Sequence, residues 1–471
     1  QLIPLTTPLL TLAVAILVLM LDLVFPPGQR KWIGWASAAG LLLVLVSTWA
    51  YPVSGAAFGG SYVQDGFALF MQRIFLVAGV LGTLGSVEHG NRHFPKRQAE
   101  FHLMLLSSLT GMMFLAGAKE LVLLLVSFEL MGIPLYVLAA MHKRRANSVE
   151  AAVKLFLSGA VGSLFVLFGV SFVVGVGGST MISELASTPA SPLINLGMML
   201  TLGGMAFKLG AVPFHMWVPD TYQGAPTPYV AFLSIAPKAA GFAAMSRIFL
   251  EGFGGLRHIW WPALLVIGIV TVLIGNLFAV PQNSIKRILA YSGVGHIGLM
   301  LFAFGIGTTE GLATVLFYLA AYLFTNMGAF FVVDAVETSV PDTLSSWKGL
   351  SRKHPALSLA MLLFLLSLGG IPFMSGFWAK ILLFWAIFEA GFWSLVLFGG
   401  TLAMVGLFYY LKIARAIYIE EPDADTAPSI TLGRSSTIAI AICVIGVVGM
   451  GLYPRPFVDA ALSAAAALLG G

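Results

Sequence analysis

Apolar runs of about twenty residues, parted by short polar connections, follow one another along the whole chain, and a run of that length spans roughly 30 Å of hydrocarbon as a helix. About fourteen can be drawn: residues 1–26, 32–51, 65–86, 100–117, 119–140, 149–176, 194–222, 226–250, 259–281, 283–305, 308–334, 355–391, 394–418 and 436–453, with a short amphipathic tail after Arg455. Strands of a β-barrel would show runs of about ten with period-two alternation, and no stretch alternates in that way. The pattern predicts an all-α polytopic membrane protein. The first run lacks a basic flank and is long for the apolar core of a signal peptide, so it reads as a membrane helix and not as a signal peptide.

Composition agrees with lipid as the solvent: with 59% hydrophobic and 10% charged residues over 471 positions, polar surface is too scarce to cover a soluble globule. The formal charge of +5 comes from Lys and Arg scattered over short loops, which argues against nucleic acid as a partner. Those loops also set an orientation, because cations are retained on the cytoplasmic side. Loops after odd-numbered spans hold sixteen, namely Arg30, Lys31, Arg92, Lys96, Arg97, Lys143, Arg144, Arg145, Lys286, Arg287, Lys348, Arg352, Lys353, Lys412, Arg415 and Arg434. The other face holds four, Lys119, Arg247, Arg257 and Arg455, so both termini are expected outside, in the periplasm of a bacterial cell. The single cysteine, Cys443, lies in an apolar run and excludes a Cys-ligated iron–sulfur cluster or an internal disulfide within this chain.

Two spans are interrupted alike. Gly210-Ala211-Val212-Pro213-Phe214 breaks the seventh, and Gly370-Ile371-Pro372-Phe373 breaks the twelfth, five spans later. Proline removes a helical donor and clashes with the preceding turn, freeing backbone groups that need a polar partner. An odd offset of five spans makes the second copy run upside down, and paired broken helices in inverted repeats mark an ion pathway.

Glu129 lies about ten residues, or roughly 15 Å, past Lys119 and so near the bilayer midplane. Lys208 and Lys238 sit at comparable depth, and Lys380 follows the second break by eight residues. An ionised group at that depth costs roughly 2.5–3.5 kcal/mol, which calls for a compensating role. A lysine moved out of water exchanges protons nearer neutral pH. A carboxylate about 4 Å away contributes on the order of 4 kcal/mol at an effective dielectric of 20, so moving Glu129 closer or farther would load or discharge such a lysine. Arg73 and Lys154 lie nearer helix ends, where snorkelling is the simpler reading. His296, mid-span, and His215, just past the first break, are candidate relay steps, while His102 reads as structural. No two histidines are expected to share one helix face at matched depth, which argues against bis-histidine haem ligation. Gly293-Val294-Gly295-His296-Ile297-Gly298 matches a dinucleotide fingerprint, but it sits inside an apolar span with no preceding strand, and it is rejected. The acidic group Glu420, Glu421, Asp423 and Asp425 lacks calcium-loop spacing and reads as a solvated loop.

Several stretches resemble the antiporter-like subunits of respiratory complex I, and within them the subunit N (subunit 2) family. They are Phe128-Glu129-Leu130-Met131, Glu150-Ala151-Ala152-Val153-Lys154, Phe207-Lys208-Leu209-Gly210-Ala211-Val212-Pro213-Phe214-His215-Met216-Trp217-Val218-Pro219-Asp220, Ala236-Pro237-Lys238, Lys286-Arg287-Ile288-Leu289-Ala290-Tyr291-Ser292, and Gly376-Phe377-Trp378-Ala379-Lys380. The resemblance implies fourteen helices with two inverted five-helix repeats, helices 4–8 and 9–13, with helices 7 and 12 broken. The divisions are then 1–99 for spans 1–3, 100–250 and 259–418 for the repeats, and 419–471 for a cytoplasmic loop, the last span and the tail. It assigns Glu129 as the switch carboxylate, Lys154 as the sixth-helix lysine, Lys208 and Lys238 as a central pair, and Lys380 as the lysine beside the exit. Lysine at 380 is similar to subunit N or L and unlike subunit M, and Arg73 lies outside the pattern.

The expected function is a proton-translocating membrane-arm subunit of a complex-I-type NADH-quinone oxidoreductase in the bacterial inner membrane, with neighbours of the M and K type. No cofactor is expected in this chain. NADH, FMN, iron–sulfur clusters and quinone are implied for partner subunits. The alternatives are a subunit of a multisubunit Na⁺(cation)/H⁺ antiporter and a scaffold whose charges only pair.

Overall fold

The computed structural model describes residues 2–421 and 430–470. It is a bundle of membrane-spanning helices: α1 (Thr6–Val24), α2 (Lys31–Ala50), α3 (Gly66–His93), α4 (Gln98–Gly117), α5 (Leu121–Ala139) and α6 (Ala146–Gly177) form the first six spans. A short α7 (Ile182–Leu185) precedes the seventh span, which is split into α8 (Pro192–Leu209) and α9 (Trp217–Gly224). The eighth comprises α10 (Thr227–Leu233), α11 (Ala236–Met245) and a π-helical turn (Ser246–Gly252), followed by α12 (Arg257–Ala279), α13 (Ile285–Ile306) and α14 (Thr309–Glu337). After a short α15 (Leu350–Lys353), the twelfth span is split into α16 (Pro355–Gly369) and α17 (Ser375–Glu389), and α18 (Trp393–Tyr418), α19 (Arg434–Leu452) and the amphipathic α20 (Arg455–Leu469) complete it. All fourteen expected spans are present. Among the described residues thirteen are apolar and long enough to cross a membrane, and the broken twelfth supplies a shorter apolar helix, Pro355–Gly369.

Burial runs opposite to that of a soluble bundle at the rim. Phe156, Leu157, Val161, Leu164 and Phe168 of α6 are exposed on its outward face, as a lipid-facing helix requires. The apolar stretches of the eighth span and of α13 are entirely enclosed, and that of α14 nearly so. Helices approach closely where glycines meet: a Cβ on Gly169 would lie 2.5 Å from the Gly197 carbonyl, and one on Gly275 would lie 2.3 Å from the Gly295 nitrogen, the small-residue packing typical of membrane helices.

Both breaks close in the same way. Gly210 (φ 72°) and Gly370 (φ 83°) adopt the left-handed conformation that ends a helix without a Cβ penalty. Ala211 N donates to Ala206 O and Ile371 N to Leu366 O, the six-to-one bond of the same capping motif in each. Two departures from the sequence reading stand out. The eighth span is not continuous but breaks at Ser234 and Ile235, one turn before Lys238. A small antiparallel hairpin, β1 (Gly55–Ala57) with β2 (Tyr62–Gln64), lies in the connection after α2 and pairs Tyr62 with Ala118. It was invisible to an all-helical reading because three-residue strands carry no periodicity.

Candidate functional site

The cations drawn into the helix bundle separate into two classes. Most charged groups that leave water are paired: Lys119 with Glu251 (2.6 Å), Lys286 with Glu337 (2.6 Å), and Arg247 with Asp65 (2.8 Å). Lys208, Lys238 and Lys380 are only 6%, 1% and 8% exposed. Among the described residues none has a carboxylate oxygen within 4.0 Å.

These three lysines, Glu129 and His296 form a row across both repeats. Glu129 on α5 accepts a short hydrogen bond from Ser163 of α6. One turn along the same face of α5, Gly132 leaves room for Lys208, whose Nζ lies 3.0 Å from where a Cβ would be. That Nζ also sits 4.3 Å over the Phe128 ring, a cation–π contact. Lys208 comes from the last turn of α8, and Gly241 of α11 faces its Cγ. Gly241 shares a helix face with Lys238, three residues earlier. Lys238 Nζ lies 5.6 Å from the Tyr222 ring and has no hydrogen-bond partner among the described residues. It converges with Tyr322 Oη on Gly293 of α13, where a Cβ would stand 3.2 Å and 2.9 Å from the two atoms.

From Tyr322 the row continues to His296, 5.1 Å away between ring centroids. The imidazole is held at both nitrogens, Nδ1 by Tyr318 Oη (2.6 Å) and Nε2 by Tyr410 Oη (3.0 Å). Two cavities of about 10 Å³ each lie between His296 and Lys380, each room for roughly one water. Lys380 Nζ donates to Leu368 O (2.7 Å) and Gly369 O (3.1 Å), carbonyls freed by the second break. Counted from the glycines, Leu368 and Gly369 stand where Lys208 and Leu209 stand in the first repeat. The second repeat therefore brings its ammonium to the matching place from the following half-helix, α17.

The other candidates lie elsewhere. Lys154 is half exposed and paired with Asp220 and Glu150, each at 2.7 Å, with Arg287 sharing Asp220; the structure does not bring it to the buried row. His215 is buried beside the Pro213 carbonyl, and among the described residues its Nδ1 has no hydrogen-bond partner. Arg73 is structural in its contacts, capping α2 through Thr48 O (2.8 Å) and stacking on Trp49. His102 is buried and Cys443 is packed in the core. The rejected glycine motif is the interior of α13. Of the acidic group, Glu420 and Glu421 pair with Arg415 and Arg352, while Asp423 and Asp425 lie outside the described residues.

Three placements correct the sequence reading. Arg247 and Lys286, counted among loop cations, are buried at 0% and 2% exposure inside ion pairs, because carboxylates on other helical segments, Asp65 and Glu337, hold them inside the bundle. α3 runs past its drawn end to His93, so His89 and His93 do share one helix face, at the membrane edge. Around them lies a cavity of about 310 Å³ on the cation-rich face, lined also by His142, Asp334, Lys286 and Glu337. Burial, and then the neighbouring His89 and His93, push the His142 imidazole down to about 3. The tyrosines that link the row, Tyr222, Tyr318, Tyr322 and Tyr410, were also missed, since a tyrosine in an apolar span carries no signal beyond packing.

A profile of the family described as NADH:quinone oxidoreductase/Mrp antiporter, transmembrane, matches residues 118–406. NADH-quinone oxidoreductase subunit N of Moorella thermoacetica is 37% identical over 98% of both chains. Among solved structures, a chain of respiratory complex I from Thermus thermophilus superposes with a TM-score of 0.82 at 32% identity, covering 96% of this chain and 98% of that one. A chain of the Mrp complex from Dietzia sp. shares the fold, with a TM-score of 0.86 at 22% identity over 98% of each chain. A multi-pass integral membrane protein with this row of buried lysines and this likeness along its length belongs to the subunit N family of NADH-quinone oxidoreductases, within the wider NADH:quinone oxidoreductase/Mrp antiporter family.

Proposed function

We propose that this chain is a proton-translocating membrane-arm subunit of a complex-I-type NADH:quinone oxidoreductase, and that protons move along Glu129, Lys208, Lys238, His296 and Lys380. The observation that carries the reading is the contrast between paired and unpaired buried cations. A scaffold would pair its charges, because a buried unpaired charge is costly; Lys119, Arg247 and Lys286 follow that rule and the three row lysines do not. Each of the three adjoins a helix break or a cavity, where freed backbone and water can stabilise a transient ammonium.

Glu129 acts as the switch. Its carboxylate is held by Ser163, on α6, while Lys208 sits one turn away against Gly132. Approach of the carboxylate stabilises the Lys208 ammonium, and withdrawal drives the proton on toward Lys238. His296, hydrogen-bonded at both nitrogens, accepts a proton at one and yields one at the other. Lys380 holds the arriving proton against the negative end of the α16 dipole until release. The first repeat opens to the cytoplasm and the second to the periplasm, with both termini periplasmic in a bacterial inner membrane. Partner subunits hold NADH, FMN, iron–sulfur clusters and quinone, and drive the switch by conformational and electrostatic coupling. Lys154, in its ion pairs, serves the cytoplasmic approach.

The test is Lys208→Ala in the assembled complex. It should reduce proton pumping and, through tight coupling, quinone reductase activity, with subunit content unchanged. Normal pumping would refute the assignment.

A further inference from the structure

Apart from the lysine row, the cation-rich face carries a second cluster of chemistry, and its geometry is independent of how protons move. His89 and His93, four residues apart, project from one face of α3 at the spacing that lets two imidazoles share one ion. His142 reaches them from the connection between α5 and α6. One ligand atom from each of the three lies within 4.8 Å of the others, and the ring centroids form a triangle with sides of 4.3, 5.1 and 5.0 Å.

The outer hydrogen bonds aim the rings. His89 Nδ1 is bonded to Asp334 Oδ1 at 2.7 Å, and His93 Nδ1 to the His89 carbonyl at 3.2 Å. Metal-binding histidines are oriented in this way, by a carboxylate and by a backbone carbonyl on the nitrogen that does not ligate. With Nδ1 of His89 donating, its Nε2 presents a lone pair, and it faces His142 Nε2 at 2.9 Å. We propose that His89, His93 and His142 form a divalent metal site that takes Zn²⁺, with Asp334 as the carboxylate orienting His89.

Three imidazoles without thiolate suit Zn²⁺ over the oxygen-preferring Mg²⁺ and Ca²⁺. With Zn–N bonds of about 2.0–2.1 Å, tetrahedral nitrogens stand about 3.3 Å apart, so the 2.9 Å pair opens by about 0.4 Å, a movement that falls to the His142 connection. The fourth position faces the 310 Å³ cavity, which makes the site open and the ion exchangeable. Occupancy ties α3 to the α5–α6 connection and, through Asp334, to α14 of the second repeat.

The experiment counts zinc per assembled complex after equilibrium dialysis against buffered Zn²⁺. The unmodified complex should hold one equivalent more than His142→Ala or His93→Ala, both changes at incompletely buried side chains. Asp334→Asn should keep the site but weaken it about 10–100-fold, and His258→Ala, outside the cluster, should match the unmodified complex. Equal zinc content in the unmodified complex and both triad variants would overturn the site, as would an equal loss in His258→Ala. Unchanged affinity in Asp334→Asn would overturn the role given to that carboxylate.

Discussion

Gly293→Ala adds one methyl group at the point where the two repeats meet. The new Cβ would stand 2.9 Å from Tyr322 Oη and 3.2 Å from Lys238 Nζ. Carbon contacts are comfortable from about 3.5 Å, so the phenol must withdraw by about 0.6 Å and the amine by about 0.3 Å. Overpacking of this kind costs about 1–3 kcal/mol, against about 1 kcal/mol gained by replacing glycine with alanine inside a helix, so the fold should survive. Transfer geometry is less forgiving: a misplacement of about 1 Å can cost about 100-fold in rate, and half of that should slow proton transfer about tenfold. The comparison is Gly400→Ala on α18, where a Cβ meets nothing within 4 Å. Both complexes would be reconstituted in proteoliposomes, and proton uptake measured with quinone reductase activity and subunit content. Gly400→Ala should behave as the unmodified complex. Full pumping by a fully assembled Gly293→Ala complex would refute the path through Lys238 and Tyr322.

Glu129→Gln keeps the shape of the switch and removes its charge, so it should abolish most coupled activity while Glu129→Asp retains part; equal activity in the two would favour a scaffold. Lys154→Ala should lower pumping less than Lys208→Ala does, because Lys154 is half exposed and its ion pairs are screened by solvent. Equal losses in reconstituted complexes would place Lys154 within the main row.

What the sequence disclosed and what it concealed divide along physical lines. The spans, both proline breaks and the midplane charges were legible because lipid penalises polar groups by depth, and a single chain displays depth directly. Lys208 and Lys380 could thus be placed, but not the route by which Lys380 reaches the carbonyls of Leu368 and Gly369, which depends on how α17 folds back beside α16. The break before Lys238 had a signal in Pro237, since a proline has no N–H to donate to the carbonyl four residues back, here Leu233, and its ring clashes with that carbonyl, yet the apolar run continued through it. Arg247 was misplaced because its partner, Asp65, lies 182 residues away. The histidine triad was missed because α3 outlasts its apolar run by two turns, and His142 and Asp334 join it only in three dimensions.

The central claim, that an unpaired buried lysine carries the proton, is tested most directly at Lys380. The two small cavities lined by His296 and Lys380 leave some space beside its side chain. Arginine keeps the charge but cannot release a proton, whereas glutamate can still carry one. Proton pumping by the whole complex in proteoliposomes should therefore be blocked in Lys380→Arg and partly preserved in Lys380→Glu. If Lys380→Arg pumps as well as the unmodified complex, Lys380 is a fixed charge and the account is wrong.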